Sequence, residues 1–378
     1  MEVIGESIVE RDPYPTFRTR VLSAPSLARV GRTVLAVYRS GSAKVSPDGR
    51  IEARISADLG ATWSAADSPF ESPADGLNHA GSHVGSGRSG TVIAVAARFR
   101  MTAPGSPDWD AERAGIVDAD AIVARRGTSG AWTTPLVVDA RRHAEEWAIA
   151  CGPPVSLGGD EWILPMERHD RSARPDWQQR YHAFALRSHD DGRSWPDEVP
   201  MPNDATGRFA LYDQRMTVLA DARLVSLAWV HDVIDDRTLE ARAAWSGDAG
   251  RSWSDTLSTS LLGGPINPIT LHDGRVLAAY ARRSSPAGIR IAISRDGART
   301  WDRSDEIVLY DGDRRVISGE PAPSASSAVD TDPLWGSMWG WTFGSPCPVE
   351  LDDGSVLVAF FASDETGRSA IRIVRLRP

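Results

Sequence analysis

Ser246-Gly247-Asp248-Ala249-Gly250-Arg251-Ser252-Trp253 is one of four near-copies of a single eight-residue pattern. The others are Ser56-Ala57-Asp58-Leu59-Gly60-Ala61-Thr62-Trp63, Ser188-His189-Asp190-Asp191-Gly192-Arg193-Ser194-Trp195 and Ser294-Arg295-Asp296-Gly297-Ala298-Arg299-Thr300-Trp301. A worn copy, Arg126-Gly127-Thr128-Ser129-Gly130-Ala131-Trp132, keeps glycine and tryptophan without the aspartate. The pattern is hairpin chemistry. Serine and aspartate side chains bond to backbone groups of a tight turn, glycine takes the positive φ such a turn needs, and tryptophan is an apolar plug for a neighbouring unit. These residues are therefore read as structural.

The surroundings of the pattern repeat as well. An alternating strand precedes each turn, as in Ile289-Arg290-Ile291-Ala292-Ile293, and before it lies an apolar strand, as in Val34-Leu35-Ala36-Val37-Tyr38 or Val276-Leu277-Ala278-Ala279-Tyr280. Asp273-Gly274-Arg275 and Asp353-Gly354-Ser355 mark the turn in front of that strand. Six units of this kind fit, over residues 20–70, 78–138, 148–202, 210–260, 263–310 and 344–378. Regular four-strand units with turn signals predict an all-β, six-bladed propeller, one domain over 1–378. The last unit lacks its fourth strand, and Glu6-Ser7-Ile8-Val9-Glu10 is expected to supply it and close the ring, because an open ring leaves unpaired edges. Cys151 and Cys347 begin units on opposite sides of that ring. A disulfide needs Cα atoms within roughly 7 Å, so two free thiols are expected.

Composition bounds the function. The formal net charge is −9, and no Lys/Arg block provides the basic face that a nucleic-acid partner requires. Lys44 is the only lysine. Residues 1–6 show no charged-then-apolar leader, and no apolar run is long enough to cross a bilayer, so a cytoplasmic protein without a membrane partner is expected. No H-E-x-x-H-type spacing points to a metal, and no cofactor motif is present. Oligomeric state is left open.

With its repeats and strand order, the chain resembles the sialidase superfamily, whose six-bladed propellers carry such repeats under the name Asp-boxes. The resemblance covers nearly the whole chain. It places Phe17-Arg18-Thr19-Arg20 where the family has a carboxylate-binding arginine, so that Arg18 matches. Ser345 stands at the place of the tyrosine nucleophile, Gln214 at that of its activating acid, and Asn78-His79-Ala80-Gly81-Ser82-His83 in the acid/base loop. It implies a glycoside hydrolase on a terminal, anionic sugar, with carbohydrate as the partner. Lyases and non-catalytic glycan binders on related propellers are the alternatives.

In the resembled fold the Asp-boxes lie on the face opposite the active site. Strand polarity then brings three sets of positions to a front funnel: the starts of first strands, the ends of second strands and the starts of third strands. From these the candidate binding residues are Arg18, Arg39, Arg98, Arg168, His169, Tyr212, Arg215, His231, Arg282 (beside Arg283) and Arg290, together with Trp339 and Trp341 as a stacking wall. Arginines suit a carboxylate-bearing sugar. Glu167, past Pro165 at the end of an apolar strand, is the leading catalytic carboxylate and Asp213 the second. His79 is a third candidate, as acid, base or lyase base. Two facing carboxyls about 5–5.5 Å apart imply a retaining glycosidase, and about 6.5–9.5 Å an inverting one. Each carboxylate has a plainer alternative, an ion pair with Arg168 or Arg215.

Overall fold

The computed structural model describes residues 1–13, 20–44, 46–72, 77–101, 119–127, 130–142, 146–170, 181–320, 341–363 and 368–378, and the backbone alone of 109–110, 115–116 and 329–330. Six sheets of four or five strands follow one another along the chain and form the blades of a propeller. Their first strands are Val21–Val30, Leu77–Ser86, Glu146–Ala150, Phe209–Val218, Ile266–Thr270 and Phe343–Glu350. A single 3-10 turn, Arg303–Asp305, is the one helical element among the described residues.

Each blade has two faces, and each face is covered by a neighbouring blade. This is why the second strands are continuous apolar runs. Leu224–Asp232, Val276–Arg282 and Val356–Ser363 are buried at every position. An apolar layer fills each gap: Val37 and Ala53 meet Val84 and Ala94 between blades 1 and 2, Val95 and Val123 meet Leu164 and Phe184 between blades 2 and 3, and Leu277 and Ile289 meet Val358 and Phe360 between blades 5 and 6.

The repeat turns form as their chemistry requires. Asp248 accepts from Ser252 N at 2.9 Å and Ser252 Oγ at 2.6 Å, while Ser246 Oγ accepts from Gly250 N at 2.8 Å. Both residues after x-Asp are left-handed: Ala249 and Gly250 have φ of 61° and 86°. The fourth copy departs from the written pattern by carrying glycine first, with Gly297 at 71° and Ala298 at 68°. At Gly192 a side chain would collide with Ile93 of the preceding blade, an added Cβ lying 2.2 Å from its Cδ1. Glycine there permits the close approach of blade to blade.

Ring closure uses the N-terminus. Glu2–Arg11 pairs antiparallel with Ser369–Arg377 as the outer strand of blade 6. It also ties that blade to blade 1: Ser7 Oγ donates to Gly60 O at 2.6 Å, and Val9 joins the apolar layer with Leu22 and Tyr38. Cys151 and Cys347 are buried free thiols.

Polarity separates two faces. In blade 3, Ser188 at the repeat turn pairs with Trp162, whereas Glu167 pairs with Ala183. Five residues of strand put them about 16 Å apart along the blade, so Glu167 lies at the front and the turns at the rear. Removing residues 1–12 strips the partner from 369–377 and uncovers the layer around Val9. The expected result, read by circular-dichroism melting, is a fall in Tm of more than about 10 °C or aggregation.

Candidate active site

The front of the ring collects its functional side chains from strand starts, strand ends and connecting loops. On blade 4 the first strand carries a bulge between Tyr212 and Arg215. Asp213 occupies it with φ of 49°, a conformation aspartate tolerates better than most residues. The bulge breaks the alternation of the strand and brings the Asp213 backbone beside blade 3, where its N lies 3.5 Å from Glu167 Oε2. Glu167 sits near the end of the second strand of blade 3, Glu161–Asp170.

The two acids share one electrostatic environment. The Asp213 carboxyl is raised from 3.8 to about 7, first by burial and then by the negative charge of Glu167, against the opposing pull of Arg215, Arg283 and Lys44. Tyr181 opens the third strand of blade 3, and its hydroxyl reaches Glu167 Oε2 at 3.3 Å and Leu211 O at 2.7 Å. Burial and then Glu167 push this phenol well above its usual range, so it keeps its proton. His169 Nε2 is 3.6 Å from Glu167 Oε1, and its ring stacks on Trp147 at 3.9 Å.

An aromatic arc runs from this pair around the front. Tyr181 meets Tyr212 edge-on at 4.6 Å, Tyr212 meets Trp229 at 6.3 Å, and Trp229 meets Trp341 at 6.1 Å. Two basic side chains lie over Trp341: the Arg283 guanidinium at 4.0 Å and the Lys44 Nζ at 4.5 Å. Carboxyl groups, aromatic faces and basic side chains thus lie along one arc at the front.

The remaining candidates fall elsewhere. Arg39 is fully buried and spends its donors within blades 1 and 2, on His79 O at 3.0 Å, Ala43 O at 2.7 Å and Ser46 Oγ at 3.0 Å. It shapes the loop that carries Lys44. Arg98 makes a two-pronged pair with Asp120 at 2.8 and 2.7 Å on the adjacent strand. Arg168 faces away from Glu167, as alternation dictates. It pairs with Glu198 at 2.7 Å and Glu146 at 3.1 Å. Arg290 is sealed inside blade 5 with Glu306. Arg282 is buried and donates to Ser285 O at 3.3 Å. Its neighbour Arg283, just past the strand end, is the one that reaches Trp341. His79 packs edge-on against Phe70 at 5.8 Å in the layer between blades 1 and 2, and burial lowers its pKa to about 4. His231 lies 3.1 Å from Asp236. Arg215 is buried and acts on Asp213 through its charge. Gln214 uses its amide inside blade 4, donating to Pro202 O at 2.6 Å. Ser345 occupies a left-handed position on blade 6, with φ of 50°, matching that of Asp213. Arg18 and Trp339 lie outside the described residues.

Sequence reasoning passed over Tyr181 and Lys44. Tyr181 opens a third strand, one of the three sets of positions that strand polarity brings to the front. Lys44 had one signal, its uniqueness.

No protein-family model matches the chain, and no curated protein matches it by sequence. Solved structures do match its fold. A protein of unknown function from Dyadobacter fermentans superposes with a TM-score of 0.72 at 19% identity, over 99% of this chain and 98% of that one. The intramolecular trans-sialidase of Ruminococcus gnavus superposes with a TM-score of 0.64 at 13% identity, over 100% and 98%. The sialidase of Trypanosoma rangeli, in complex with the inhibitor DANA, superposes with a TM-score of 0.64 at 12% identity, over 99% of this chain and 60% of that one. These likenesses show a shared six-bladed propeller fold.

The raised Asp213 acid has a consequence for stability. Between the ordinary aspartate range and about pH 7 the folded chain keeps a proton that the unfolded chain releases, so this group lowers stability as pH rises through that window. Asp213→Asn cannot ionise and suits the left-handed backbone. It is expected to be more stable than the parent at pH 8, by about 1–3 kcal/mol, and equal to it near pH 3. Urea unfolding at both pH values checks this, and a variant less stable at pH 8 contradicts it.

Proposed function

We propose that this sialidase-type propeller is a glycoside hydrolase that releases a terminal, anionic sugar from a glycan. One observation carries the reading: the Asp213 backbone N lies 3.5 Å from Glu167 Oε2 at the front, and the Asp213 acid is raised to about 7 by burial and by the Glu167 charge. A carboxyl that keeps its proton near neutral pH, with a second carboxyl beside it, suits acid catalysis at a glycosidic bond. Asp213 in its protonated form gives its proton to the leaving-group oxygen. Glu167 is the second carboxyl, acting on the anomeric carbon directly or through water. Tyr181 positions the Glu167 carboxylate. The aromatic arc supplies a stacking face for the sugar ring, and Arg283 supplies the positive charge that an acidic sugar needs.

The lyase reading has less support. It needs a histidine or tyrosine base at the reacting carbon; His79 packs against Phe70, His231 lies beside Asp236, and the Tyr181 phenol is pushed well above its usual range by burial and by Glu167.

A panel of glycosides of sialic acid, Kdo, uronate and rhamnosyl-uronate, read for reducing ends and ultraviolet absorbance together, tests the proposal. Reducing sugar without an unsaturated product is expected. Glu167→Gln and Asp213→Asn each lower kcat by about 10²–10⁴-fold. Activity of the parent falls as pH rises through about 7, as the Asp213 proton is lost. Full activity of Glu167→Gln contradicts the assignment.

A further inference from the structure

The chain holds 42 lysine and arginine residues, of which one is lysine, leaving 41 arginines. Nearly every cationic role in this fold is therefore filled by arginine, and the exception stands at the front. Lys44 lies in the loop between Thr33–Gly41 and Arg50–Ser56 of blade 1. Arg39 fixes that loop through Ala43 O and Ser46 Oγ. The Lys44 amine sits 4.5 Å over the ring of Trp341 and 5.9 Å from that of Phe361. The charged groups that act on it are Arg39 from its own blade, Asp213 from blade 4 and Arg283 from blade 5. Burial first, then Arg283 and Arg39, hold its proton affinity well below that of an ordinary lysine, with Asp213 opposing.

An arginine here would stay charged at any working pH. A lysine can give up its proton, and apolar surroundings with a neighbouring cation are the conditions under which it becomes a nucleophile. We propose that Lys44 is a nucleophilic amine that forms an imine with the keto carbon of a 2-oxo acid, whose carboxylate lies against Arg283. The lone pair of Nζ attacks the carbonyl carbon, the C–N bond forms, and the carbonyl oxygen takes up the proton that the nitrogen releases. Loss of this hydroxyl breaks the C–O bond. The Asp213 carboxylic acid, close enough to act on Lys44 electrostatically, gives the proton with which it leaves as water, and the resulting carboxylate takes back the proton left on the imine nitrogen. One amine and one ketone yield one imine and one water, with no oxidant or reductant. This activity goes beyond the hydrolysis proposed above and does not require it.

The uniqueness of Lys44 makes the test clean. The full chain is incubated at pH 7 with pyruvate and cyanoborohydride, which reduces an imine to a stable secondary amine, and modified peptides are mapped by mass spectrometry. Labelling of Lys44 is expected at least about tenfold faster than that of a free lysine side chain in a reference peptide, since each unit of lowered proton affinity exposes about tenfold more free amine. Pyruvate is expected to outpace acetone, which has no carboxylate, and Arg283→Ala to remove that advantage. Lys44→Arg leaves no side-chain label. A Lys44 rate no greater than the reference overturns the proposal. So do equal rates for pyruvate and acetone on the unmodified chain, a comparison that holds even where Arg283→Ala fails to fold.

Discussion

Everything in this molecule depends on the antiparallel pairing of its two ends. A four-stranded blade cannot cover its own faces, and each is buried only against the next blade. The last such layer, between blades 6 and 1, packs Leu22, Val34 and Tyr38 against Leu357, Phe361 and Ile371, and Val9 joins it from the strand Glu2–Arg11 that lies beside Ser369–Arg377. The same pairing lets the N-terminal strand reach the repeat turn of blade 1 through Ser7 and Gly60. The site depends on this closure directly. Its side chains come from blades 1, 3, 4 and 5 and from the entry to blade 6, distant segments that only a closed ring brings together.

Within the ring, the inner strands are deformed where they approach the axis. Blades 1, 2, 4 and 6 carry bulges, between Ser23 and Ser26, His79 and Gly81, Tyr212 and Arg215, and Gly344 and Cys347. A bulge turns one side chain out of the regular alternation. On blade 4 that side chain is a carboxylic acid, set against a second one. Aspartate shows both extremes of environment here. In the rear turns Asp58 and Asp248 are held down to about 2 by hydrogen bonds from Thr62 and Ser252, whereas the front Asp213 is pushed up to about 7. The first serves the scaffold. The second lowers stability at neutral pH, a feature typical of functional sites.

The scaffold was legible in the sequence because its signals are local. Four turns of fixed chemistry, apolar runs between them and a missing last strand determine blade number and closure, while the choice of front and rear came from the resemblance to the sialidase fold. The same strand polarity brought Glu167 and Asp213 forward as candidates. The arginines were not legible. A run such as Glu167-Arg168-His169 places consecutive side chains on opposite faces of a blade, and sequence does not say which face borders the site and which borders Glu198. Arg282 and Arg283 differ by a strand end, beyond which alternation no longer sets direction. Lys44 lies on a loop, where no periodicity speaks, and its partners Trp341 and Arg283 are some three hundred and two hundred and forty residues away in sequence. Contacts over such separations are properties of the closed ring.

The central claim is that the ring forces two carboxyls into one poorly solvated place. A carbon-13 NMR titration of the Asp213 carboxyl, assigned by its absence in Asp213→Asn, measures this directly. The account predicts a midpoint near 7 that moves down in Glu167→Gln while staying above the ordinary range, because burial persists when the neighbouring charge is gone. A midpoint near about 4, or one that Glu167→Gln leaves unmoved, contradicts it.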